Sequence, residues 1–326
     1  MINTIIIVGC GSIGQRHAKN AKKIGIENII LCDTNLERIK EFSEEIDSSS
    51  LYESYEKAFL EHPEIDAAII STPSGLHIKP ATFFAEKKVN IFVEKPLSKD
   101  LNGVDELIET VIENGVINMM GQSYRFHEGF LELKKLIDNN ILGKIYNVNY
   151  LGGHYLPDWH PEMDYRKEYT AQKRLGGGVL LTNMSHTLDT INWLFGEITQ
   201  IEGWKTRFSD LEIDVEDCVF CLLKTEKGII VQLQSDFLKR KNRHQMIIFG
   251  EKGHIWADFI ENTINVWILD KTPEIIKYNF HPNQRYINEL LYFAVTIKER
   301  KMKHELDLSL GKKVLELIAN PKIKSI

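Results

Sequence analysis

The chain has 326 residues, of which 43% are hydrophobic and 26% charged, a composition that excludes a disordered or fibrous protein. Its length predicts two domains of ordinary size, large enough to fold without a disulfide framework or a structural metal. The 40 basic and 46 acidic side chains leave a net charge of −6, which argues against a dedicated nucleic-acid-binding protein.

The first part of the chain alternates between short apolar runs and amphipathic segments. The apolar runs are rich in Ile and Val, as expected of parallel strands buried on both faces, and cover residues 4–9, 28–32, 65–71, 90–93 and 116–121. Helical patterns follow the first four runs, over residues 13–24, 36–46, 77–88 and 101–113. This alternation predicts an α/β domain with a doubly wound parallel sheet over residues 1–121.

From residue 122 to 326 the pattern predicts a second domain, of the α+β class. A helix over residues 130–139 precedes a strand-like start at 144–151 and a long polar loop at 152–174, and a glycine triplet then opens a helix to about residue 195. Alternating runs predict antiparallel hairpins in a large open sheet, over 217–224, 229–236, 245–250, 254–259 and 263–269. Two helices, at 283–299 and 308–318, end the chain, and we expect that they can pack back on the first domain.

Cysteine usage and hydropathy predict a cytoplasmic protein. The four cysteines are too few and too scattered for a disulfide framework. Cys218 and Cys221 lie in a strand-like segment, where residues three apart point to opposite faces, so we do not expect a metal pair. No apolar run approaches the roughly eighteen residues of a membrane helix, and the N-terminal residues lack the pattern of a signal peptide.

A glycine-rich turn joins the first predicted strand to the first helix. It is Gly9-Cys10-Gly11-Ser12-Ile13-Gly14, a G-x-G-x-x-G in the strand–turn–helix context that gives the motif meaning. Gly9 allows the tight turn, Gly11 lets a pyrophosphate approach the backbone, and Gly14 lets the helix pack on the sheet. The free N–H groups and the positive helix end predict a dinucleotide-binding site.

The nucleotide preference is predicted from the end of the second strand. Asp33 lies 19 residues after Gly14, where a carboxylate can accept hydrogen bonds from both ribose hydroxyls and repel a 2′-phosphate. NAD is therefore favoured as the cofactor, while Thr34 and Arg38 leave NADP possible.

Three further stretches carry a family resemblance. They are Ser71-Thr72-Pro73-Ser74-Gly75-Leu76-His77, then Glu94-Lys95-Pro96-Leu97, then Gly176-Gly177-Gly178 leading to His186. With the glycine turn, they resemble the glucose–fructose oxidoreductase, inositol dehydrogenase and rhizopine-catabolism (Gfo/Idh/MocA) family over nearly the whole chain. The resemblance implies a Rossmann domain, and an NAD(P)-dependent oxidoreductase acting on a secondary hydroxyl of a sugar, sugar derivative or cyclitol.

The resemblance assigns catalysis to Lys95 and His186, from separate domains. Lys95 ends a strand, and Pro96 biases it to an extended backbone and can carry a cis bond. The resemblance gives Lys95 a hydrogen bond to the substrate oxygen and makes His186 the general acid/base. The alternatives are a lysine that only neutralises Glu94 and a histidine satisfied by Asp189.

One position departs from the family pattern. Many members carry an aspartate four residues before this histidine, where the present chain has Thr182, followed by Asn183. Neither side chain is a base at neutral pH, so His186 works without a carboxylate there, or another group such as Tyr165 assists, or the site has changed its task.

The remaining site residues follow from the resemblance and from strand ends. For the cofactor they are Ser71, Thr72, Pro73, His77, Glu94, Lys95 and Gln122. For the substrate they are Lys95, Tyr124, Arg125, Tyr165, Arg166, Lys173, Asn183 and His186. Aromatic, Arg and Lys side chains suit a sugar that carries a carboxylate, phosphate or nucleotide. His154, His160 and His186 match no metal-ligand spacing, so no metal is expected.

The composition of the second predicted sheet indicates that the protein forms a homo-oligomer. Its aromatic residues, including Phe220, Trp256, Phe259 and Trp267, leave one face apolar, and the family commonly dimerises or tetramerises through this sheet. We therefore expect a homodimer or homotetramer, with neither nucleic acid nor membrane as partner. Two other functions stay open: an NAD-dependent glycosidase of the same fold, and a non-catalytic regulator that senses dinucleotide.

Overall fold

The computed structural model of the protein describes residues 2–48, 50–320 and 322–325. The chain separates into two compact units. The first comprises Met1–Ser123 and Asn283–Leu315, and the second comprises Tyr124–Pro282 and Glu316–Ile326. Among the described residues, no helix has the length and apolar character needed to cross a membrane.

The first unit contains a six-stranded parallel sheet with the order β3-β2-β1-β4-β5-β6. Its strands are β1 (Thr4–Val8), β2 (Asn28–Cys32), β3 (Leu51–Tyr52), β4 (Ala67–Ile70), β5 (Asn90–Val93) and β6 (Asn118–Met120). The helices between them are α1 (Ser12–Lys23), α2 (Leu36–Ile46), α3 (Tyr55–Glu61), α4 (Ile78–Glu86) and α5 (Val104–Asn114). The strand order reverses at β1, and this switch point is where open parallel sheets bind ligands.

Continuous burial explains why the apolar runs form this sheet. All five residues of β1 and all four of β4 are buried, since helices cover both faces of a parallel sheet. The doubly wound sheet is confirmed, but β3 and α3 are absent from the sequence prediction. The two residues of β3 and seven of α3 are too short to produce a periodic pattern.

The second unit contains a nine-stranded mixed sheet. Its elements before residue 283 are α6 (Glu128–Asp138), β7 (Ile145–Tyr155), α7 (Val179–Thr182), α8 (Met184–Phe195), β8 (Ile198–Thr206), β9 (Cys218–Thr225), β10 (Ile230–Asp236), β11 (Leu238–Gly250), β12 (Gly253–Asp258), β13 (Thr263–Ile268) and β14 (Glu274–Lys277). The chain ends with α9 (Gln284–Lys298), α10 (Leu308–Ile318) and β15 (Ile323–Ser325). The strand order is β14-β13-β12-β11-β7-β10-β9-β8-β15.

Most neighbours in this sheet are antiparallel, as predicted. The pairs β7–β10 and β8–β15 are parallel. Strand β7 continues to Tyr155, so the long loop begins four residues later than the sequence indicated. The helix expected after the glycine triplet is two helices, which are separated at Asn183.

Residues 283–315 cluster with the first unit. Helix α9 packs on α1, where the amides of Asn20 and Asn283 are 2.7 Å apart. Further along, the backbone N–H of Met120 donates to the carbonyl of Leu306, and Lys312 of α10 pairs with Asp105 of α5. Residues 283–315 therefore supply part of the first unit, although they follow the second unit's sheet in sequence.

The exposed side of the nine-stranded sheet carries large apolar side chains. Trp204 is 51% exposed, Leu222 51%, Trp256 41% and Phe220 38%. Phe259 does not belong to this surface, because it is only 4% exposed and its ring lies 4.0 Å from that of Phe130. The expectation for Phe259 was wrong because strand alternation does not apply beyond Asp258, where β12 ends.

An ion pair inside the second unit joins α8 to the segment before α6. The guanidinium of Arg125 donates from Nε and Nη2 to the two carboxylate oxygens of Asp189, at 3.0 and 2.7 Å. Both side chains are buried. A buried pair of this kind contributes little net stability, but removing one partner leaves an uncompensated charge in the core.

We predict that Asp189→Ala lowers the free energy of unfolding by about 3–5 kcal/mol, because Arg125 stays buried and loses its counter-charge. The measurement is urea unfolding followed by circular dichroism. The matched control is Asp138→Ala, which removes an exposed i,i+4 partner of Lys134 and should cost less than about 1 kcal/mol. Equal effects of the two substitutions would contradict a buried ion pair.

Candidate functional site

The glycine turn between β1 and α1 has the shape that a dinucleotide requires. Gly9 has φ +93°, and a Cβ there would lie 2.5 Å from the backbone nitrogen of Thr72. A Cβ on Gly14 would lie 1.9 Å from the carbonyl oxygen of Gly9. A Cβ on Gly11 would meet nothing within 4 Å. Two of the glycines are thus required by the fold, whereas Gly11 leaves open space for a ligand.

The start of α1 fits a phosphate. Gly11 is the N-cap and provides no side-chain hydrogen bond, and the first turn, which begins at Ser12 and Ile13, holds no acidic residue. Backbone N–H groups at such a helix end bind anions. The hydroxyl of Thr72 is buried and has no hydrogen-bond partner among the described residues. These features fit the diphosphate group of a dinucleotide.

Asp33 at the end of β2 is held in place as a carboxylate acceptor. Its oxygens accept hydrogen bonds from the backbone N–H groups of Cys10 at 2.7 Å and Asn35 at 2.8 Å. Arg38 Nη1 lies 3.2 Å from the same carboxylate, so the charge of Arg38 is already paired. Thr34 is exposed beside them. A fixed carboxylate with a paired arginine suits a ribose diol better than a 2′-phosphate.

Lys95 follows β5, where a network of buried polar groups fixes its backbone. Glu94 accepts a hydrogen bond from the backbone N–H of Lys95 at 3.1 Å and pairs with His17 Nε2 at 2.7 Å. The Lys95–Pro96 peptide is cis. Burial lowers the pKa of the Lys95 ammonium, and the charge of Arg285 lowers it further, while Glu94 acts in the opposite direction. A desolvated cation of this kind hydrogen-bonds strongly to a developing negative charge.

His77 joins the segments that follow β4 and β5. Its Nδ1 lies 3.0 Å from the carbonyl oxygen of Pro96, and its Nε2 lies 2.7 Å from that of Thr72. The hydroxyl of Ser71 donates to the carbonyl of Gly9 at 2.8 Å. The polar atoms of His77 and Ser71 are therefore hydrogen-bonded to backbone carbonyls of the protein. This indicates that both residues hold the segments around the site in place. Pro73 precedes a short 3-10 turn, Ser74–Leu76.

Glu289 on α9 is a buried carboxyl that the sequence analysis did not select. It is 0% exposed, and neither carboxyl oxygen has a hydrogen-bond partner among the described residues. Burial raises its pKa well above the usual range, and the charge of Glu94 adds to this effect, whereas the backbone of Gln122 and the charge of Arg285 lower it. The sequence did contain a signal that Glu289 is buried, because this residue lies among the apolar positions of α9 with Ile287, Leu290 and Phe293.

In the second unit, His186 lies in the first turn of α8 and is partly exposed. The ring of Tyr124 stacks on its imidazole, with centroids 4.3 Å apart and planes at 16°. Asn183 Nδ2 lies 3.5 Å from the hydroxyl of Ser235 on β10. Thr182 donates its hydroxyl to the carbonyl of Gly178 at 2.7 Å. The structure thus brings Tyr124, Asn183 and His186 together, and Thr182 supplies no base.

Arg125 and the predicted substrate residues of the long loop form hydrogen bonds or ion pairs with other residues of the second unit. Arg125 binds Asp189, which lies one helical turn after His186. The Tyr165 hydroxyl accepts from the backbone N–H of Glu212 at 3.3 Å, and Arg166 pairs with the carboxylates of Asp164 and Glu212. The backbone N–H of Lys173 donates to Asp214 at 2.6 Å. Substrate roles for Tyr165, Arg166 and Lys173 remain predictions, because these contacts fix the loop rather than define a ligand site.

Other histidines contribute aromatic surface. His154 and the half-exposed Trp159 have ring centroids 4.3 Å apart, and burial lowers the pKa of His154 to about 4. His160 pairs with Glu168. Within the described parts of the chain, no group of three or more His, Cys, Asp or Glu side chains is placed to hold a metal ion.

We predict that Asp33→Ala lowers kcat/KM for NAD by about 10–100-fold, because it removes a charged acceptor of two ribose hydroxyl bonds. The kcat/KM for NADP should fall less or rise, since the repulsion of a 2′-phosphate is also removed. Steady-state kinetics with both cofactors measure this change. Glu41→Ala, at an exposed position of α2, is the control with the same change in charge. An unchanged ratio of the two kcat/KM values would contradict the assignment.

We predict that Glu289→Gln removes a pH-dependent loss of stability. Because the native pKa of Glu289 is raised, the native state holds this proton more tightly than the unfolded state. Wild-type stability therefore falls as pH rises above the unfolded-state pKa of about 4.3, by up to about 1.4 kcal/mol per pH unit until the native pKa is reached. Glutamine has no ionisable proton, so the unfolding free energy of the variant lacks this dependence on pH.

Urea unfolding between pH 5 and about pH 8 tests this prediction, since ordinary carboxyls are already ionised over most of that range. The difference in unfolding free energy between the variant and wild type should change in favour of the variant as pH rises. Glu299→Gln, an exposed position just after α9, is the control and should give a curve parallel to that of wild type. A parallel curve for Glu289→Gln would show that Glu289 is not held protonated.

Comparison with known proteins identifies the family. Residues 3–122 match the model described as the oxidoreductase family with an NAD-binding Rossmann fold, and residues 130–256 match the GFO/IDH/MocA C-terminal domain. The myo-inositol 2-dehydrogenase of Thermotoga maritima is 27% identical over 305 residues, covering 90% of this chain and 87% of that protein. The scyllo-inositol 2-dehydrogenase (NAD+) of Bacillus subtilis is 31% identical over 201 residues, covering 60% and 55% of the two chains.

A solved structure shows the same fold. Levoglucosan dehydrogenase in complex with NADH superposes with a TM-score of 0.84 at 18% identity, covering 97% of this chain and 94% of that one. The two family models together cover most of the chain, and the glycine turn and Asp33 fit the NAD-binding function of the first. The chain therefore belongs to the Gfo/Idh/MocA family of oxidoreductases, with an NAD-binding Rossmann domain at its N-terminal end.

Proposed function

We propose that this protein is an NAD-dependent dehydrogenase or reductase that acts on a secondary hydroxyl carbon of a cyclitol or a sugar-like polyol. The observation that carries the proposal is the desolvated ammonium of Lys95, which follows the parallel strand β5 in the unit that holds the glycine turn and Asp33. Parallel strands place their carboxyl ends at one edge of the sheet, where ligands bind. The relatives named as inositol 2-dehydrogenases support a cyclitol or related polyol as the substrate class.

The proposed chemistry is the exchange of a hydride and a proton. On oxidation, the carbinol carbon loses a hydride, the hydroxyl loses a proton, and a C=O bond forms. NAD, when bound, supplies the hydride acceptor. Lys95 donates a hydrogen bond to the reacting oxygen and stabilises the negative charge that develops there. His186 takes the hydroxyl proton on oxidation and returns it on reduction, a role that suits histidine because imidazoles exchange protons near neutral pH.

The neighbours of His186 position its imidazole for this role. The stacked ring of Tyr124 restricts rotation of the imidazole. The Arg125–Asp189 pair fixes the next turn of the same helix. Since Thr182 donates its hydroxyl to a backbone carbonyl, His186 would act without a carboxylate at that position.

We predict that Lys95→Met lowers kcat by about 10²–10³-fold, the usual cost of removing one donor to a developing oxyanion, and leaves NADH binding within a few-fold of wild type. Lys99→Met, four residues later and exposed, is the matched control. The assay is a screen of cyclitols, sugars, uronates and sugar phosphates with NAD and NADP, following nicotinamide absorbance. NADH fluorescence titration measures cofactor binding in the same variants.

Full turnover by Lys95→Met would refute the catalytic assignment, and loss of NADH binding would show that Lys95 holds the cofactor instead. Release of a free sugar without net change in nicotinamide absorbance would favour the glycosidase alternative. Tight NADH binding with no turnover of any compound in the screen would favour a dinucleotide-sensing regulator.

A further inference from the structure

A row of three rings extends from the core of the second unit to its surface. Phe237 is 0% exposed, and the centroid of its ring lies 5.4 Å from that of His154. The ring of His154 in turn lies 4.3 Å from the ring of Trp159. Trp159 is 49% exposed, so one side of its indole packs on His154 while much of the ring is in contact with solvent. We refer to Phe237, His154 and Trp159 as the aromatic row.

The backbone on both sides of Trp159 is held in place. The N–H of Trp159 donates to the carbonyl of Leu156 at 3.1 Å, and the N–H of Leu156 donates to the carbonyl of Phe237 at 3.2 Å. After Trp159, the Nδ1 of His160 lies 2.9 Å from a carboxylate oxygen of Glu168. A tryptophan held in this way offers a large, rigid contact surface to a ligand at a low cost in conformational entropy.

The aromatic row lies on the side of the nine-stranded sheet that carries α8. Ser235 of β10 faces this side, because its hydroxyl lies 3.5 Å from Nδ2 of Asn183, which immediately precedes α8. The backbone N–H of Phe237 donates to the carbonyl of Asp217 at 2.8 Å, which continues the register of β10 with β9 by one residue. Since side chains alternate along a strand, Phe237 lies on the same side as Ser235.

The neighbouring strand β7 gives the same placement. The ring of Tyr150 lies 5.7 Å from that of His244, and the ring of His244 lies 5.2 Å from that of Tyr124. Tyr124 stacks on His186, so Tyr150 also faces the side that carries α8. His154 lies four residues further along β7, an even number, in agreement with its place in the aromatic row.

The aromatic row lies close to the contact between β10 and the start of α8. Phe237 is two residues after Ser235, which corresponds to about 7 Å along an extended strand, the scale of one sugar ring. Asn183 and His186 are three residues apart, a spacing that places two side chains on one face of a helix. A molecule that contacts His186 with one ring can therefore reach Trp159 with a second ring.

The charges around Trp159 favour an uncharged ligand. The stretch 152–164, which carries Trp159, contains no Lys or Arg, and its charged residues are Asp158, Glu162 and Asp164. Burial lowers the pKa of His154 to about 4, so its imidazole is neutral at pH 7. A phosphate or carboxylate would therefore be repelled here, whereas the apolar face of a sugar ring can pack on an indole.

We propose that Trp159 binds a second, uncharged sugar ring, so that the substrate is a glycoside whose other ring is oxidised at His186. This inference rests on the proposed function and narrows its substrate class. The second ring does not react, and the glycosidic bond stays intact. A secondary CH–OH of the first ring becomes C=O, with the hydride passing to the nicotinamide and the proton to solvent by way of His186. Stacking of the second ring on Trp159 fixes the orientation of the first.

The test compares full-length Trp159→Ala and Trp159→Phe with wild type. Met163→Ala is the matched control, because it removes an exposed apolar side chain from the same loop without removing a ring. Calorimetric titration of the NADH-loaded protein uses two pairs of compounds that differ by one uncharged ring. These are myo-inositol with its galactoside galactinol, and glucose with maltose. UDP-glucose supplies a charged second group, and light scattering measures the oligomeric mass of each variant.

We expect wild type to bind at least one two-ring compound about tenfold more tightly than its one-ring counterpart. Trp159→Ala should remove this difference and leave the binding of NADH and of the one-ring compound unchanged, which a folding defect would not do. Trp159→Phe should keep part of the difference, since a smaller ring still stacks. In steady-state kinetics with a two-ring compound that is turned over, Trp159→Ala should raise KM more than it lowers kcat.

The failures of the two proposals are distinguishable. If wild type binds no two-ring compound more tightly than its one-ring counterpart, or if Trp159→Ala behaves like Met163→Ala, the ring site is refuted while the dehydrogenase function stands. If two-ring binding depends on Trp159 but no compound of the wider screen reduces NAD or NADP, the ring site stands and the proposed function fails.

Two other occupants of the Trp159 surface would overturn the inference. Binding of UDP-glucose that depends on Trp159, without such binding of galactinol or maltose, would show that the indole stacks on a nucleotide base. A lower oligomeric mass of Trp159→Ala with unchanged ligand binding would assign the indole to a contact between copies of the chain.

Discussion

The first unit depends on one buried carboxylate, that of Glu94. It accepts a hydrogen bond from the backbone N–H of Lys95 and contacts Nε2 of His17 at 2.7 Å. His17 lies on α1, three residues after Gly14, so this contact joins the helix that follows the glycine turn to the strand end that carries Lys95. A carboxylate out of water is tolerated only when its oxygens are bonded, and the bonds of Glu94 connect these two parts of the site.

The second unit also contains buried carboxylates that connect separate segments of the chain. Asp189 connects α8 to Arg125, and Asp236 connects the end of β10 to the start of β11. Each carboxylate is nearly or fully buried and orients a neighbouring segment, namely the helix that carries His186 in the first case and the start of β11 in the second. Buried charge of this kind contributes little to net stability, and its value here is positional.

The sequence predicted the features that depend on local pattern. The bounds of β2, α2, β5 and α10 coincide with the prediction, because burial on one face or on both produces a visible periodicity. The glycine turn and Asp33 also follow from fixed spacing. Contacts between distant segments were not accessible: one carboxylate partner of Arg166 is Glu212, 46 residues away, and no period in the sequence connects the two residues. Glu289 was missed because a charge on an apolar helix face looks like an exception until its burial is known.

The two kinds of glycine in the first turn separate what the fold demands from what a ligand demands. Gly9 and Gly14 are constrained by their own neighbours, so almost any replacement would distort the empty protein. Gly11 has φ −70°, an ordinary backbone angle, and open space around its α-carbon. The protein's own architecture therefore gives no reason for glycine at position 11. Selection for folding alone would therefore allow alanine at position 11. Selection for nucleotide binding, in contrast, would keep glycine there.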